Sequence, residues 1–353
     1  MNKYVKRYLI DAMSGMAQGL FASLLIGTII KTLGEQLLRL SSFWGFQFLV
    51  DAGTFAMNAK TVGAAMAIGI GFAMNAPALV LFSLATVGAV SNELGKSGGP
   101  LAVLIIAIIA CELGNLVSKK TKVDIIVTPL VTILSGLILA IPFAKYIGMG
   151  ASSIGTLVIL ATRLHPFTMG MIVSALIGIA LTLPISSAAI CAAFGLVGLA
   201  GGAAVAGCCA QMVGFAVMSY KENKVGGLLS QGLGTSMLQM PNIIKNPLVW
   251  IPPTLASIIT GPIATCVFKM EMNGAAISSG MGTCGLVGPI GVITGWFTPS
   301  AQAVEHGAHT INPGAFEWCG LILICFVLPA VLTYIFGEVE RKLGWIKDGD
   351  LSL

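Results

Sequence analysis

The polar residues that interrupt long apolar runs are the first candidates for chemistry in this chain. Glu112 is the one charge within residues 97–118, and Asn115 follows it three positions later. This spacing places both side chains on one face of a helix. An ionisable group inside a membrane is costly and is therefore a functional candidate by default. Glu112 can line a polar cavity, or it can lie near the membrane surface and pair with Lys119 or Lys120.

Other polar residues fall where apolar helices are expected to break. Asn75 stands two positions before Pro77, and Ser186 and Ser187 follow Pro184. At such breaks these side chains can face a ligand, or they can cap the broken helix ends. Both interpretations remain open from the residues alone, and Asn75 is kept as a candidate for solute binding.

The segment 273–297 has the most unusual composition of the chain. It holds glycine at positions 274, 280, 282, 285, 288, 291 and 295. Each glycine weakens a free helix by up to about 1 kcal/mol, and irregular backbone survives in a membrane only when it is buried in protein or lines a wet cavity. We therefore expect a re-entrant hairpin beside a translocation path, although tight packing of small-residue helices would give a similar composition. The solute-binding candidates here are Asn273, Ser278, Ser279, Gly285 and Gly288.

A polar loop over 298–315 follows this segment and carries Glu305, His306 and His309. Two histidines three positions apart with one glutamate are a weak signal for zinc, so neither a metal nor another cofactor is expected. Glu305 and His306 are instead candidates for contact with a solute, with proton coupling or plain solvation as alternatives. The sequence has no Walker motif, GxSxG or HExxH, which argues against an ATP-driven pump and a membrane hydrolase, and no catalytic residue is assigned.

The amino-acid composition indicates whether water or lipid surrounds most of this chain. The chain has 353 residues, of which 56% are hydrophobic and 9% charged, whereas soluble domains have about 25% charged residues. Charge-free runs fill the chain from end to end, and one helical span needs about 20 apolar residues. We therefore predict an all-α polytopic membrane protein with about ten transmembrane helices, re-entrant hairpins and an internal repeat.

The net charge of +5 is better explained by membrane topology than by nucleic-acid binding, because cytoplasmic loops carry an excess of lysine and arginine. Four basic clusters are candidates for such loops: Lys3, Lys6 and Arg7; Lys119, Lys120 and Lys122; Lys221 and Lys224; and Arg341, Lys342 and Lys347. With all four inside, both termini are cytoplasmic, and the expected location is the inner (cytoplasmic) membrane.

Two pairs of segments suggest an internal duplication. Residues 68–77 resemble 177–184, and residues 129–136 resemble 253–261. Each member of the second pair is followed by a small-residue turn, at 150–155 after the first and at 274–280 after the second. Chance similarity among helices rich in glycine, alanine and isoleucine is the alternative. Repeats of this kind are typical of secondary transporters. The predicted organisation is a first helix and an interfacial amphipathic helix (1–60), a first repeat (61–165), a second repeat with the glycine-rich hairpin (166–297), and a polar loop, last helix and cytoplasmic tail (298–353).

The segments Tyr8–Leu20, Gly285–Gly291 and Ile311–Gly314 resemble the membrane-embedded IIC component of the sugar phosphotransferase system. The nearest branch is that of IIC-like proteins described as regulators of toxin expression. The resemblance covers nearly the whole chain. It implies a homodimeric permease of the cytoplasmic membrane that binds a sugar in one half and hands it to a separate IIB protein for phosphorylation. The Gly-Ile-Thr-Glu-Pro motif of glucose-type IIC proteins has its nearest counterpart in Gly291–Gly295, which lacks the carboxylate.

Three functions are compatible with these observations. The main hypothesis is a permease for a small polar solute, and the resemblance implies a sugar. The alternatives are an ion- or proton-coupled transporter of a small organic anion, and a membrane sensor that regulates gene expression without transport. Any phosphorylation of the sugar would require the IIB partner, so the sequence leaves open whether this chain counts as an enzyme.

The substitution Glu112→Gln tests the assignment of this carboxylate to the solute site. We expect the variant to fold normally and to transport solute more slowly, because the amide keeps the shape of the side chain and removes its charge. Uptake into proteoliposomes measures the effect. Uptake at the rate of the unmodified protein would remove Glu112 from the site.

Overall fold

A computed structural model describes residue 4, residues 6–40 and residues 44–353 of the chain. Helix makes up 82% of the structure, and the described residues contain no strand. The predicted all-α polytopic class is therefore confirmed. The chain divides into two compact units, Met1–Ala151 and Ser152–Leu353. The organisation into two repeats stays a prediction.

Within the described residues, seven helices are long and apolar enough to cross a membrane: Lys6–Leu38, Ala78–Gly95, Gly99–Val117, Asp124–Gly150, Gly198–Met218, Pro247–Val267 and Ala315–Lys342. An eighth span results if Gly45–Ala56 and Ala59–Ala73, which meet at a bend of 57°, form one broken span. Two further apolar helices, Pro166–Thr182 and Cys284–Phe297, are shorter. The exact number of spans, predicted as about ten at about 20 residues each, stays a prediction.

The described part of the first unit contains five complete helices: α1 (Lys6–Leu38), α2 (Trp44–Ala56), α3 (Ala59–Ala73), α4 (Ala78–Gly95) and α5 (Gly99–Val117). Small residues let them approach closely, because a Cβ atom on Gly15 of α1 would overlap the carbonyl of Gly69 in α3. The same holds for Gly63 of α3 and Gly88 of α4. Such close helix contacts are how apolar helices gain packing energy when lipid is the solvent.

The long helix α6 (Asp124–Thr162) is followed in the second unit by α7 (Pro166–Thr182), α8 (Ser187–Ala193), α9 (Gly198–Met218), α10 (Tyr220–Leu229), α11 (Met240–Lys245), α12 (Pro247–Val267), α13 (Val287–Phe297), α14 (Ala301–Glu305) and α15 (Ala315–Lys342). α9 lies at the centre of this unit, since 16 of its residues from Gly201 to Met218 are buried. The helices α7, α12 and α15 pack around it.

Two of the predicted breaks are confirmed. α3 ends at Ala73 and α4 begins at Ala78, on either side of Asn75 and Pro77. α7 ends at Thr182, just before Pro184, because a proline removes a backbone donor and restricts the residue before it.

Other expected boundaries differ from the structure. The adjacent glycines Gly201 and Gly202 predict a further break in the charge-free run 166–220, but they lie inside α9, and the chain breaks earlier, beside Gly195 with φ +60°. The small-residue turn expected at 150–155 is helical, as part of α6. Residues 31–60 do not form one helix, since the first part continues α1 and the next forms α2. An interfacial location for that stretch stays a prediction.

One contact in the second unit shows how the central helix is held. A Cβ atom on Gly207 of α9 would overlap the backbone of Ser174 in α7. Ser174 Oγ donates to the Ser257 carbonyl at 2.7 Å, and Ser257 Oγ of α12 donates to the Gly207 carbonyl at 3.2 Å. Three helices therefore meet at one glycine and two serines, and no larger residue fits at position 207.

We expect Gly207→Ala to lower the free energy of unfolding of the second unit by roughly 1–3 kcal/mol, the usual cost of overpacking a well-packed core. Thermal unfolding of the detergent-solubilised protein measures this. The matched control is Gly226→Ala, because position 226 has no heavy atom within 4 Å of an added Cβ. Equal melting temperatures for the two variants would contradict the packing argument.

Candidate functional site

The glycine-rich segment of the second unit is preceded by an extended stretch that carries polar side chains. Gly198 and Met272 form an isolated antiparallel bridge, with both N–H···O distances at 3.0 Å. Side chains alternate in extended backbone, so Met270 and Met272 are buried in the core while Glu271 is exposed. Asn273 lies on the same side as Glu271, and its Nδ2 donates to Glu271 Oε2 at 2.8 Å. The bridge thus presents a paired carboxylate and amide.

These two side chains line a cavity of about 640 Å³ in the second unit. Its walls come from the end of α12 and the stretch after it, the end of α13, the loop after α14 and the start of α15. The lining residues are Val267, Phe268, Lys269, Met270, Glu271, Asn273, Gly295, Trp296, Gly307, Ala308, His309, Ile311, Phe316, Glu317 and Gly320. A volume between about 300 and 1,000 Å³ is typical of sites for small ligands.

Aromatic rings form much of the cavity wall. Phe268 and Phe316 have ring centroids 5.1 Å apart. Trp296 is edge-on to Trp318, with centroids 5.0 Å apart, and is buried to 6% exposure. Their mutual contacts limit how the rings can turn, so the cavity offers preformed flat apolar faces next to the polar pair.

The carboxylate of Glu317 has a structural partner. Its Oε2 accepts a hydrogen bond from the Gly314 N–H at 2.7 Å, which is one half of a capping box at the start of α15. Only part of this carboxylate is therefore free to bind a ligand. Lys269 and His309 are exposed at the same cavity. The ionisable lining consists of two carboxylates, one ammonium and one imidazole.

The glycine-rich segment 273–297 lies next to this cavity and is held in place by hydrogen bonds to other parts of the second unit. Ser279 Oγ donates to the Leu196 carbonyl and Ser187 Oγ donates to the Gly280 carbonyl, both at 2.6 Å. These bonds tie the segment to the break after α7. Gly295 of α13 is needed at the cavity itself, because a Cβ atom there would come within 2.8 Å of the Asn273 backbone.

The predicted candidates in this segment have different surroundings. Asn273 lines the cavity, whereas Ser278, Ser279, Gly285 and Gly288 are not among its lining residues. Gly285 has φ +51° in a tight turn, and the Gly288 N–H is already donated to the Gly282 carbonyl at 2.8 Å. The Gly288 N–H therefore has a partner inside the segment. Direct contact between these four residues and a solute stays a prediction.

Glu305 and His306 lie at the end of α14 with exposed side chains and do not line the cavity. The loop that starts one residue later supplies His309 to the cavity. Within the described residues, no group of three or more histidine, cysteine, aspartate or glutamate side chains is arranged to hold a metal ion. A role for Glu305 and His306 in solute binding stays a prediction.

Asn75 and Glu112 belong to the first unit. Asn75 is exposed in the turn between α3 and α4 with φ +55°, a left-handed conformation that asparagine tolerates better than most residues. Glu112 pairs with Arg7 of α1, with Oε1 2.9 Å from Nε and 2.8 Å from Nη2. Each side chain is 34% exposed. The partner is thus Arg7 and not Lys119 or Lys120, and solute contact by either candidate stays a prediction.

The family model described as "Phosphotransferase system, EIIC" matches residues 10–353. The chain belongs to the EIIC family. A search of curated proteins found no match to it. The family confirms the resemblance inferred from the sequence and identifies the chain as a sugar-specific membrane permease component of the phosphotransferase system.

Sequence reasoning missed most of the cavity residues of this EIIC protein. Glu271, Trp296 and Glu317 stand far apart in the chain and meet only through folding. One local signal was available, since Lys269, Glu271 and Asn273 alternate with methionines directly after an apolar run. Such alternation is the pattern of a short extended stretch with one wet face.

The exposed carboxylate of Glu271, which is paired with the buried amide of Asn273, gives a direct test. We expect Glu271→Gln to weaken sugar binding roughly tenfold to a hundredfold, the loss that follows from removing a hydrogen bond to a charged group. Tryptophan fluorescence can report binding from a panel of hexoses and disaccharides, because Trp296 lies in the wall. The control is Asp348→Asn, the same change of carboxylate to amide at a fully exposed side chain outside the cavity lining. Equal affinity for both variants would place the sugar elsewhere.

Proposed function

We propose that this EIIC protein binds its sugar in the cavity formed by Glu271, Asn273, Trp296, Phe316 and their neighbours. The sugar then passes to a separate IIB protein, which phosphorylates it as it is released. Membership of the EIIC family supports the sugar and the membrane setting.

The observation that carries the proposal is the composition of the cavity. A sugar presents hydroxyl groups at its edges and C–H groups on its faces. The carboxylate of Glu271 accepts hydrogen bonds from hydroxyls, and the amide of Asn273 both donates and accepts. The rings of Trp296, Phe268 and Phe316 offer flat apolar surface to the C–H faces. Both kinds of contact are available in one preformed space.

The same lining disfavours the organic-anion alternative. Glu271 and Glu317 place two negative charges at the cavity, against the single permanent positive charge of Lys269. An anionic solute would have to overcome that repulsion. A neutral sugar has no net charge to be repelled.

The predicted topology and assembly belong to the same proposal. We place the protein in the inner membrane as a homodimer, with both termini and the basic clusters in the cytoplasm, where IIB would dock. Some of these basic groups have partners within the chain. Glu338 accepts a hydrogen bond from Lys221 at 2.6 Å, which raises the pKa of Lys221 above its ordinary value. Arg341 pairs with Glu222 at 2.8 Å.

Reconstituted transport tests the function. Proteoliposomes containing this chain should take up labelled sugar and accumulate it as sugar phosphate only when phosphoenolpyruvate, the general phosphotransferase proteins and a IIB protein are supplied. Omitting IIB is the matched control and should abolish accumulation of the phosphate ester.

Two outcomes would contradict this proposal. Accumulation driven by an ion gradient without phosphoenolpyruvate would favour the secondary transporter. Sugar binding without uptake under any condition would favour the membrane sensor.

A further inference from the structure

A short stretch near the end of the second unit, residues 350–353, is docked against the region 220–246. Leu351 is fully buried, whereas Leu353 is 53% exposed. Gly349 precedes this stretch with φ +91° and no heavy atom within 4 Å of its Cβ position. Glycine adopts this left-handed bend without strain, so position 349 can act as a pivot. We name residues 350–353 the latch.

Side-chain amides hold the backbone of the latch. Asn223 and Gln239 both donate to the Leu351 carbonyl, at 2.7 and 3.0 Å. The Leu353 N–H donates to Asn223 Oδ1 at 2.9 Å. Asn223 thus pairs with backbone on both sides of Ser352, as a neighbouring strand would.

Two more amide side chains donate hydrogen bonds to the latch. Asn242 Nδ2 donates to the Ser352 carbonyl at 2.8 Å. Asn246 Nδ2 donates to the Asp350 carboxylate at 2.9 Å. Four amide side chains from one region therefore converge on four consecutive residues.

The same amides lead inward to the glycine-rich segment. Gln239 Nε2 also donates to Gln231 Oε1, and Gln231 Nε2 donates to Ser219 Oγ, both at 2.8 Å. Both glutamines are fully buried. Directly after Gln231, the Gly232 carbonyl accepts a hydrogen bond from Thr283 Oγ1. These hydrogen bonds, together with the peptide link from Gln231 to Gly232, thus join the latch to the turn that holds Thr283.

We propose that the latch is a conformational control element. Docked, it holds residues 230–245 in place and so keeps the turn around Thr283 closed. Released at Gly349, it lets both segments loosen while the helices α9 and α15 remain intact. Because the turn belongs to the segment behind the sugar cavity, the state of the latch sets how easily that segment moves.

Release of the latch can be measured without any sugar. Cys284 follows Thr283 and is 2% exposed, so its alkylation by N-ethylmaleimide, quantified by mass spectrometry, reports opening of the turn. In the full chain, Leu351→Asp places a charge in a fully buried position and should expel the latch. We expect the Cys284 alkylation rate to rise about fivefold to thirtyfold, the factor that corresponds to one or two hydrogen bonds of ordinary net strength.

The matched control is Leu353→Asp, the same chemical change at an exposed position of the latch. It should leave the Cys284 rate unchanged. Asn223→Ala, which removes two bonds to the latch without altering it, should also raise the rate. Cys325 in α15 is fully buried and reports opening of the whole unit.

Each result decides the question. A faster reaction at Cys284 with no change at Cys325, together with faster hydrogen exchange in 230–245, supports the latch. An unchanged Cys284 rate in both Leu351→Asp and Asn223→Ala overturns it. Equal acceleration at Cys284 and Cys325 also overturns it, since residues 350–353 would then stabilise the unit as a whole. Failure of sugar transport would leave all three measurements unaffected.

Discussion

Backbone that leaves helical geometry inside an apolar protein must find its hydrogen-bond partners within that protein. Lipid offers none, and each unpaired group costs several kilocalories per mole. In the second unit, the stretches 183–186, 194–197 and 268–275 leave helical geometry. They are held together by the Gly198–Met272 bridge and by two serine hydroxyls: Ser187 Oγ donates to the Gly280 carbonyl, and Ser279 Oγ donates to the Leu196 carbonyl. The glycines between them allow the close approach that these bonds require.

The candidate site is a consequence of that arrangement. The bridge holds residues 270–273 in an extended conformation. Successive side chains then point to opposite sides, so the methionines are buried in the core and Glu271 and Asn273 lie on the other side. The helix that follows the glycine-rich segment then brings Trp296 to the same space. A polar pair and a wall of rings in an EIIC protein are what a sugar needs, because its edges and faces differ in polarity.

In the region 220–246, buried amide side chains form a hydrogen-bonded network instead of lining a cavity. Gln231, Gln239 and Asn242 bond one another and the backbone of the latch. A fully satisfied network of this kind is rigid, and it becomes costly as soon as one partner leaves. Release of the latch therefore disturbs this network as far as the hydrogen bond between Thr283 and Gly232.

Composition and local pattern alone determined that lipid surrounds the helices, that the fold is all-α, and that the chain breaks at Asn75–Pro77 and near Pro184. These features depend on residues close together in the chain, so they leave a signal in the sequence. The ion pair between Glu112 and Arg7 left no signal in the sequence, because the two residues are 105 positions apart. The cavity likewise needed Glu271, Trp296 and Glu317 to be brought together by folding. Only tertiary structure decides such pairs, since hydrogen bonds and ring contacts depend on distance in space and not along the chain.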